Sequence, residues 1–428
     1  MISQNQNKSN PLQERRVAVV VYSHYPSDPR PRRAAEALAS QGMKVEVLCL
    51  KNDMNEPSRD VSNGIEILRL PIKHRRGGKV GYVTQYVSFL ISCFFVLSWR
   101  CFFRRYSLVH VHNMPDILAF SAIVPRLLGA RVILDLHDPM PELMMSIFGL
   151  AENSKSVRVL KFLEKMSIRA VDAVITVNEA CRKIFSSRSC SAEKVHVVMN
   201  SPDEAIFAAP ADHGSSESCG DHQTRFVIMY HGSIVERHGL DLVVRALSRV
   251  RKSAPHVELR IYGETNAFLK KVMAEVRKLG MEDCVHWEGK KDLKEIADAI
   301  QICDLGIIPN RRSIFTEINT PTRIFEYLSQ GKPVLAPDSG GITDYFGPDD
   351  LVFFKLGDQA DLEAKLAFAV THPVEIQKTA SNGGRVYLAH KWENERRRFV
   401  GLVEGLVAPR LPGGSKTTAV ASVAGENG

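Results

Sequence analysis

The sequence lacks paired cysteines, is poor in tryptophan and, over one long stretch, holds no acidic residue. Its eight cysteines (Cys49, Cys93, Cys101, Cys181, Cys190, Cys219, Cys284, Cys303) form no C-x-x-C pair. That excludes the usual zinc-ligand spacings and argues against a disulfide framework in a chain able to build a real core. Met1 to Arg16 contains no apolar run suited to a signal peptide, so a reducing cytosol is the expected compartment. No short internal repeat occurs. From Ile67 to Pro115 there is no Asp or Glu, while Lys73, Arg75, Arg76, Lys79, Arg100, Arg104 and Arg105 fall inside that stretch.

What remains is ordinary globular material, 44% hydrophobic and 24% charged, with 428 residues allowing two or three domains. The formal charge of +8 suggests an anionic partner. Because basic residues flank an apolar core in 73–105, the expected partner there is an anionic membrane surface, with no nucleic acid.

Short β-branched runs alternate with amphipathic stretches. Strands are predicted at Val17–Tyr22, Val45–Leu50, Ile65–Leu70, Leu108–Val111, Val132–Asp135, Ala173–Val177 and Val195–Val198, with a first helix at Pro31–Gln41. Residues 208–224 are small, polar and aperiodic, and read as a linker. The alternation restarts at Phe226–Tyr230, Val257–Tyr262, Val285–Trp287, Leu305–Ile308, Pro333–Ala336 and Leu351–Phe354. Continuous apolar strands separated by helices imply parallel sheets covered on both faces. The reading is therefore an α/β protein with two Rossmann-like, doubly wound parallel-sheet domains facing a cleft. The expected boundaries are a disordered arm at 1–16, a first Rossmann-like domain at 17–207, the linker at 208–224, a second Rossmann-like domain at 225–385, a helix at 386–407 packing back across the domains, and a disordered tail at 408–428.

The segment Asn319–Pro337 (NTPTRIFEYLSQGKPVLAP) starts a helix at Pro321 and Thr322 and ends it at Gly331. A helix N-terminus offers unpaired amides and partial positive charge, which suits a diphosphate. Thr322 can cap or donate, Arg323 adds a fixed cation, and Glu326 one turn on can accept ribose hydroxyls. A plain amphipathic helix with a surface salt pair is the alternative.

Here the sequence resembles the large retaining glycosyltransferase family four, of GT-B fold, in the branch with a P-T-K/R-x-F-E-Y segment. That family carries two glutamates eight positions apart, the first on donor-sugar hydroxyls and the second on the ribose. Glu326 matches the second. Ile318 stands where the first is expected, so the resemblance leaves Glu317, Asn319 or the backbone amides around Thr320 to hold the sugar.

Three further segments extend the resemblance, which runs from Val17 to about Leu406. In Tyr230–Asp241 (YHGSIVERHGLD) Gly232 permits close approach to phosphate, and the resemblance implies that basic residues of this loop bind the diphosphate. The usual Arg and Lys positions hold Ser233 and His238, so Arg237 is the expected cation. In Val132–Glu142 (VILDLHDPMPE) the match to D-x-H-D-x-x-P-E places His137 opposite the reacting sugar, with Asp135, Asp138 and Glu142 fixing the loop. In Tyr22–Arg33 (YSHYPSDPRPRR) Asp28 and Arg30 are candidates for the acceptor side, or for a structural salt pair.

The resemblance implies a metal-independent retaining transferase without a cofactor, taking a nucleotide-sugar donor and a lipid-linked or other saccharide acceptor. No Asp-x-Asp metal motif occurs. The twenty uncharged residues between Lys79 and Arg100 are just long enough to span a bilayer; interfacial docking is the favoured expectation, with the protein peripheral on the cytoplasmic face. Competing readings are a metal-dependent hydrolase using His110 and His112, which alternate on one strand, a nucleotide-sugar epimerase of similar fold, and a non-catalytic relative.

Overall fold

A computed structural model describes residues 10–72, 79–207 and 225–408. The linker residues 208–224, the basic residues Lys73, Arg75 and Arg76, and all of the tail beyond Ala408 lie outside the described residues.

In the N-terminal lobe the strands are β1 (Arg16–Val20), β2 (Lys44–Leu50), β3 (Arg59–Ser62), β4 (Ile65–Leu70), β5 (Leu108–His112), β6 (Arg131–Leu136), β7 (Ala173–Thr176) and β8 (Val195–Val197). They form one sheet in the order β3-β4-β2-β1-β5-β6-β7-β8, parallel except for the β3–β4 hairpin. Helices α1 (Pro29–Ser40), α2 (Lys79–Phe103), α3 (Ile123–Leu127), α4 (Met140–Phe148), α5 (Lys155–Arg169) and α6 (Glu179–Arg188) belong to this lobe. The C-terminal lobe has β9 (Phe226–His231), β10 (Val257–Tyr262), β11 (Val285–Gly289), β12 (Leu305–Ile307), β13 (Val334–Pro337) and β14 (Val352–Phe354), all parallel, in the order β11-β10-β9-β12-β13-β14. Its helices are α7 (Leu240–Val250), α8 (Ala267–Lys278), α9 (Leu293–Gln301), α10 (Thr322–Ser329), α11 (Gly340–Thr343), α12 (Gln359–Thr371) and α13 (Pro373–Ala389), and α14 (Trp392–Val407) follows.

Each sheet has a buried apolar cluster on both faces, which is why its strands read as unbroken apolar runs. The strand order reverses between β1 and β5 in one lobe and between β9 and β12 in the other. Ligands bind at such switch points, outside the carboxyl ends of the strands, because two loops diverge there and leave a crevice.

The structure departs from the sequence reading in four places. Strand β3 is extra: an exposed polar edge closed by Asn63 (φ 50°) and Gly64 (φ 75°), the Asn-Gly hairpin signal that the alternation count passes over. Helix α1 begins at Pro29, two residues early, because the Asp28 carboxylate caps it. Residues 10–16 are not a loose arm, since Leu12 is fully buried and the Asn10 amide donates to Gln41 O at 2.9 Å. The final helix does not begin at 386. The chain breaks at His390–Lys391, so α13 keeps Tyr387 in the C-terminal lobe while α14 buries Phe399, Val403 and Val407 against the N-terminal sheet.

The acid-free stretch also reads differently in three dimensions. Arg100 pairs with Glu46 of β2, and Arg104 with Glu66 of β4, so the sheet neutralises two of its cations. Helix α2 buries Phe89, Cys93, Leu97 and Cys101 against the core. A parallel ridge of Val83, Val87, Ile91, Phe95, Trp99 and Phe103, spaced four apart, faces outward; Trp99 is 69% and Phe103 74% exposed.

Candidate functional site

The C-terminal lobe contributes the loop after β9 and the start of α10. Gly232 has φ +104°, a backbone conformation that favours glycine, and it lies against the side chain of Arg323. Arg323 is held rigidly: its Nη1 donates to His231 O at 2.7 Å and its guanidinium lies 4.8 Å from the centre of the Tyr230 ring. Arg237 sits in the turn that follows, its guanidinium 5.9 Å from the Phe315 ring and its carbonyl accepting from Arg311 N at 2.9 Å. Its Nε is buried, with no hydrogen-bond partner among the described residues. Gly239 ends this turn at φ +63°, where a Cβ would collide with Pro309 O; the close approach fixes the loop against the one after β12.

Pro321 precedes α10 and no side chain caps the helix. Among the described residues the amides of Thr322 and Arg323 therefore have no acceptor, while that of Ile324 bonds to Pro321 O; Pro321 and Thr322 line a cavity of about 290 Å³ between the lobes. Glu326 lies one turn along, 3.3 Å from Nε2 of His231. Burial pushes its carboxyl up to about 7, against the pull of Arg323 and of Arg33 from the other lobe. Burial likewise pushes His231 down to about 3, aided by Arg323, so this imidazole is neutral.

The N-terminal lobe presents the loop after β6. The His137 amide donates to Asn113 Oδ1 at 2.9 Å, and its Nε2 lies 3.0 Å from His112 Nδ1. Burial lowers His137 to about 4 despite the opposing Asp135 carboxylate, so it acts as a neutral hydrogen-bonding group at neutral pH. Asp138, next in the loop, is pushed up to about 6 by burial, with Arg237 of the facing lobe pulling it down most strongly. His137, Asp138, Asn200, Ile318, Thr320 and Thr322 all line the same cavity. The sequence-derived residues His137, Thr320 and Thr322 thus meet there, with Arg237 alongside Asp138 and Gly232 beneath Arg323. Glu142 does fix the loop, through Arg188.

Three candidates are held by partners within the protein. Arg30 does not face the acceptor side: its Nε is 3.1 Å from both Asp135 oxygens, its Nη2 2.7 Å from Oδ1, and its Nη1 donates to Val198 O and Asn200 Oδ1. Asp28 caps α1, and its charge also acts on His137. The Glu317 carboxylate is paired at 3.0 Å with Arg312 on the surface; Ile318 lines the cavity in its place. Asn319 lines it as well, with a buried Oδ1 that has no partner.

Reading along the chain missed Arg33, which reaches the Glu326 side of the cleft, and Asn178, discussed below, because both act from the other lobe. The histidine pair also takes a different role. His110, His112 and Asp135 offer ligand atoms within 4.8 Å of one another. However, burial would raise Asp135, and Arg30 followed by the three histidines holds it well below the usual carboxylate range. A guanidinium occupies the charge-balancing place that a divalent cation would need, so this donor set does not fit a catalytic metal centre.

Residues 27–201 match the glycosyl transferase 4-like domain, and residues 225–372 match the glycosyl transferases group 1 family. A Bacillus subtilis protein named as a teichuronic acid biosynthesis glycosyltransferase is 24% identical over 179 residues; the match covers 42% of this chain and only 43% of that relative. Sucrose-phosphate synthase from Thermosynechococcus elongatus superimposes with a TM-score of 0.75 at 16% identity, over 92% of this chain and 99% of that one. The Anabaena protein HepE, solved with UDP-glucose, gives a TM-score of 0.67 at 15% identity, over 91% and 99%.

Proposed function

The chain belongs to glycosyltransferase family four, of GT-B fold, and on that premise we propose that it moves a sugar from a nucleotide-sugar donor to a lipid-linked saccharide in cell-envelope polysaccharide synthesis. The observation that carries this reading is the convergence of His137 and the uncapped start of α10 at one cavity between the lobes, with Arg237 next to two of its lining residues, Asp138 and Phe315.

In this reading the diphosphate lies at the amides of Thr322 and Arg323, with the guanidinium of Arg237 across from them. Glu326, as carboxylate, accepts the ribose hydroxyls. The sugar reaches toward His137, and Asn319, with its free carbonyl, takes the hydroxyl contact that Ile318 cannot make. The acceptor hydroxyl attacks C1 from the face that the diphosphate leaves. The C1–O bond to the diphosphate breaks, a new C1–O bond forms, and the acceptor's proton passes to a diphosphate oxygen. Neutral His137 supplies a hydrogen-bonding dipole to the sugar as positive charge develops at C1. Fixed cations and helix amides stabilise the leaving charge without reorganising, which is where most of the acceleration arises.

The lipid-linked acceptor and the peripheral membrane location rest on the outward ridge of α2. Helix α2 packs Phe89, Cys93 and Leu97 into the core of its lobe, which favours a helix docked on the bilayer surface through apolar contact over one that spans it. Gln85 and Tyr86 in its first half touch Tyr22 beyond the carboxyl end of β1, which brings the bilayer to the same end of the sheet as the cleft.

A thermal-shift series with UDP, GDP, ADP and TDP and their sugar derivatives tests the donor site, because a ligand bound only by the native state raises its melting point. Transfer of the stabilising donor's radiolabelled sugar into a membrane lipid extract then tests the reaction. If no nucleotide raises the melting point, the reading fails.

A further inference from the structure

Asn178 belongs to the N-terminal lobe, yet its side chain is bonded to the nucleotide lobe. It is fully buried at the start of α6. Its Oδ1 accepts from Cys181 N at 2.8 Å, capping the helix, while its Nδ2 donates to Ile318 O at 2.8 Å and to Thr320 Oγ1 at 3.0 Å. Turning the amide over would set oxygen against Ile318 O and nitrogen against the Cys181 amide, so the three partners determine its orientation. Thr320 passes the restraint on, donating its hydroxyl proton to Gly341 O, and Gly341 N returns a bond to Glu317 O at 2.9 Å. Two further contacts lie beside this one: the Glu179 amide donates to the Tyr345 hydroxyl at 2.8 Å, and Lys183 pairs with Asp344 at 2.6 Å.

The loop so gripped, 317–320, leads directly into α10 and carries Ile318 and Asn319 to the cavity. We infer that Asn178 is a positioning residue for sugar transfer: it locks this loop from the opposite lobe, so that the sugar-facing segment and the first turn of α10 reach their working geometry only when the lobes are closed. The inference rests on the transferase reading for its chemistry, but the clamp itself is a property of the ligand-free protein.

The test uses the full chain and the variants Asn178→Asp and Asn178→Ser. Aspartate keeps the cap and replaces both donors by an acceptor facing Ile318 O; serine keeps a cap but is too short to reach the loop. Both are expected to melt within a few degrees of the wild type. They are expected to show a larger radius of gyration by small-angle X-ray scattering. With the nucleotide sugar that stabilises the wild type, kcat is expected to fall at least tenfold while donor KM changes less than threefold. Scattering curves that superimpose on the wild type's, or a kcat within twofold of it, overturn the inference. If the variants open but no nucleotide sugar binds the wild type, the clamp stands and the transferase reading is the part that fails.

Discussion

Arg30 and Asp135 form a buried forked pair, Nη2 to Oδ1 at 2.7 Å, directly behind the loop that carries His137. The first follows β1 and the second lies near the end of β6, so the pair ties two strand ends on either side of β5 into one platform. With His110 and His112 packed against the same carboxylate, the group supports His137 from below.

Removing one partner of such a pair leaves a buried charge, at a cost of about 3–5 kcal/mol. Arg30→Met is therefore expected to lower the melting temperature and the denaturant midpoint markedly. A residue that served the acceptor would instead leave both unchanged and raise the acceptor KM.

Glu326→Ala is expected to abolish the nucleotide-induced rise in melting point while leaving the ligand-free melting curve in place. The pH dependence gives a second check. The free carboxyl titrates at about 7, and ribose binding needs its deprotonated form, so binding must release a proton below that pH. Nucleotide affinity is expected to fall as the pH drops through 7, by up to about tenfold per unit. In Glu326→Gln that contribution disappears, which titration calorimetry in two buffers of different ionisation enthalpy measures as a loss of proton release.

His137→Ala is expected to reduce kcat by about 10²-fold, the scale of a lost preorganised dipole, with free-nucleotide affinity unchanged. Because burial holds the wild-type imidazole down to about 4, His137 contributes no inflection to kcat near the ordinary histidine value. An inflection there that vanished in the variant would contradict the neutral role.

For Arg237, Ala substitution is expected to weaken nucleotide-diphosphate binding about tenfold or more, and Lys to restore only part of it, since a guanidinium offers the two parallel donors a phosphate accepts. Free nucleoside without phosphates, titrated against both variants, is expected to show no difference.

Replacing Phe95, Trp99 and Phe103 together by Ser removes three large side chains from the outward ridge of α2. Each contributes on the order of 1 kcal/mol when partly buried in a lipid surface. Co-sedimentation with phosphatidylglycerol vesicles is expected to fall at least tenfold, with the nucleotide-induced melting shift intact. Unchanged co-sedimentation would move the membrane contact elsewhere.

Much of this protein was determined locally, and so was legible along the chain. Strand runs such as Val17–Tyr22 are buried on both faces and announce themselves by unbroken apolar content. The glycines at 232 and 239, and the helix start at Pro321–Thr322, are demands that neighbouring backbone places on single residues. Other roles were decided only by tertiary structure, because charge pairing and lobe contact depend on what lies opposite in space. Asp28 and Arg30 carry the residue types of a ligand site, yet one caps a helix and the other meets a carboxylate more than a hundred positions away. Two cations of the α2 region, Arg100 and Arg104, are neutralised by Glu46 and Glu66 from neighbouring strands. Asn178 looks like any helix cap until the second lobe closes over it. Sequence sets the fold wherever a residue's partners are its neighbours; the site is settled where two lobes present side chains to one another across a cleft.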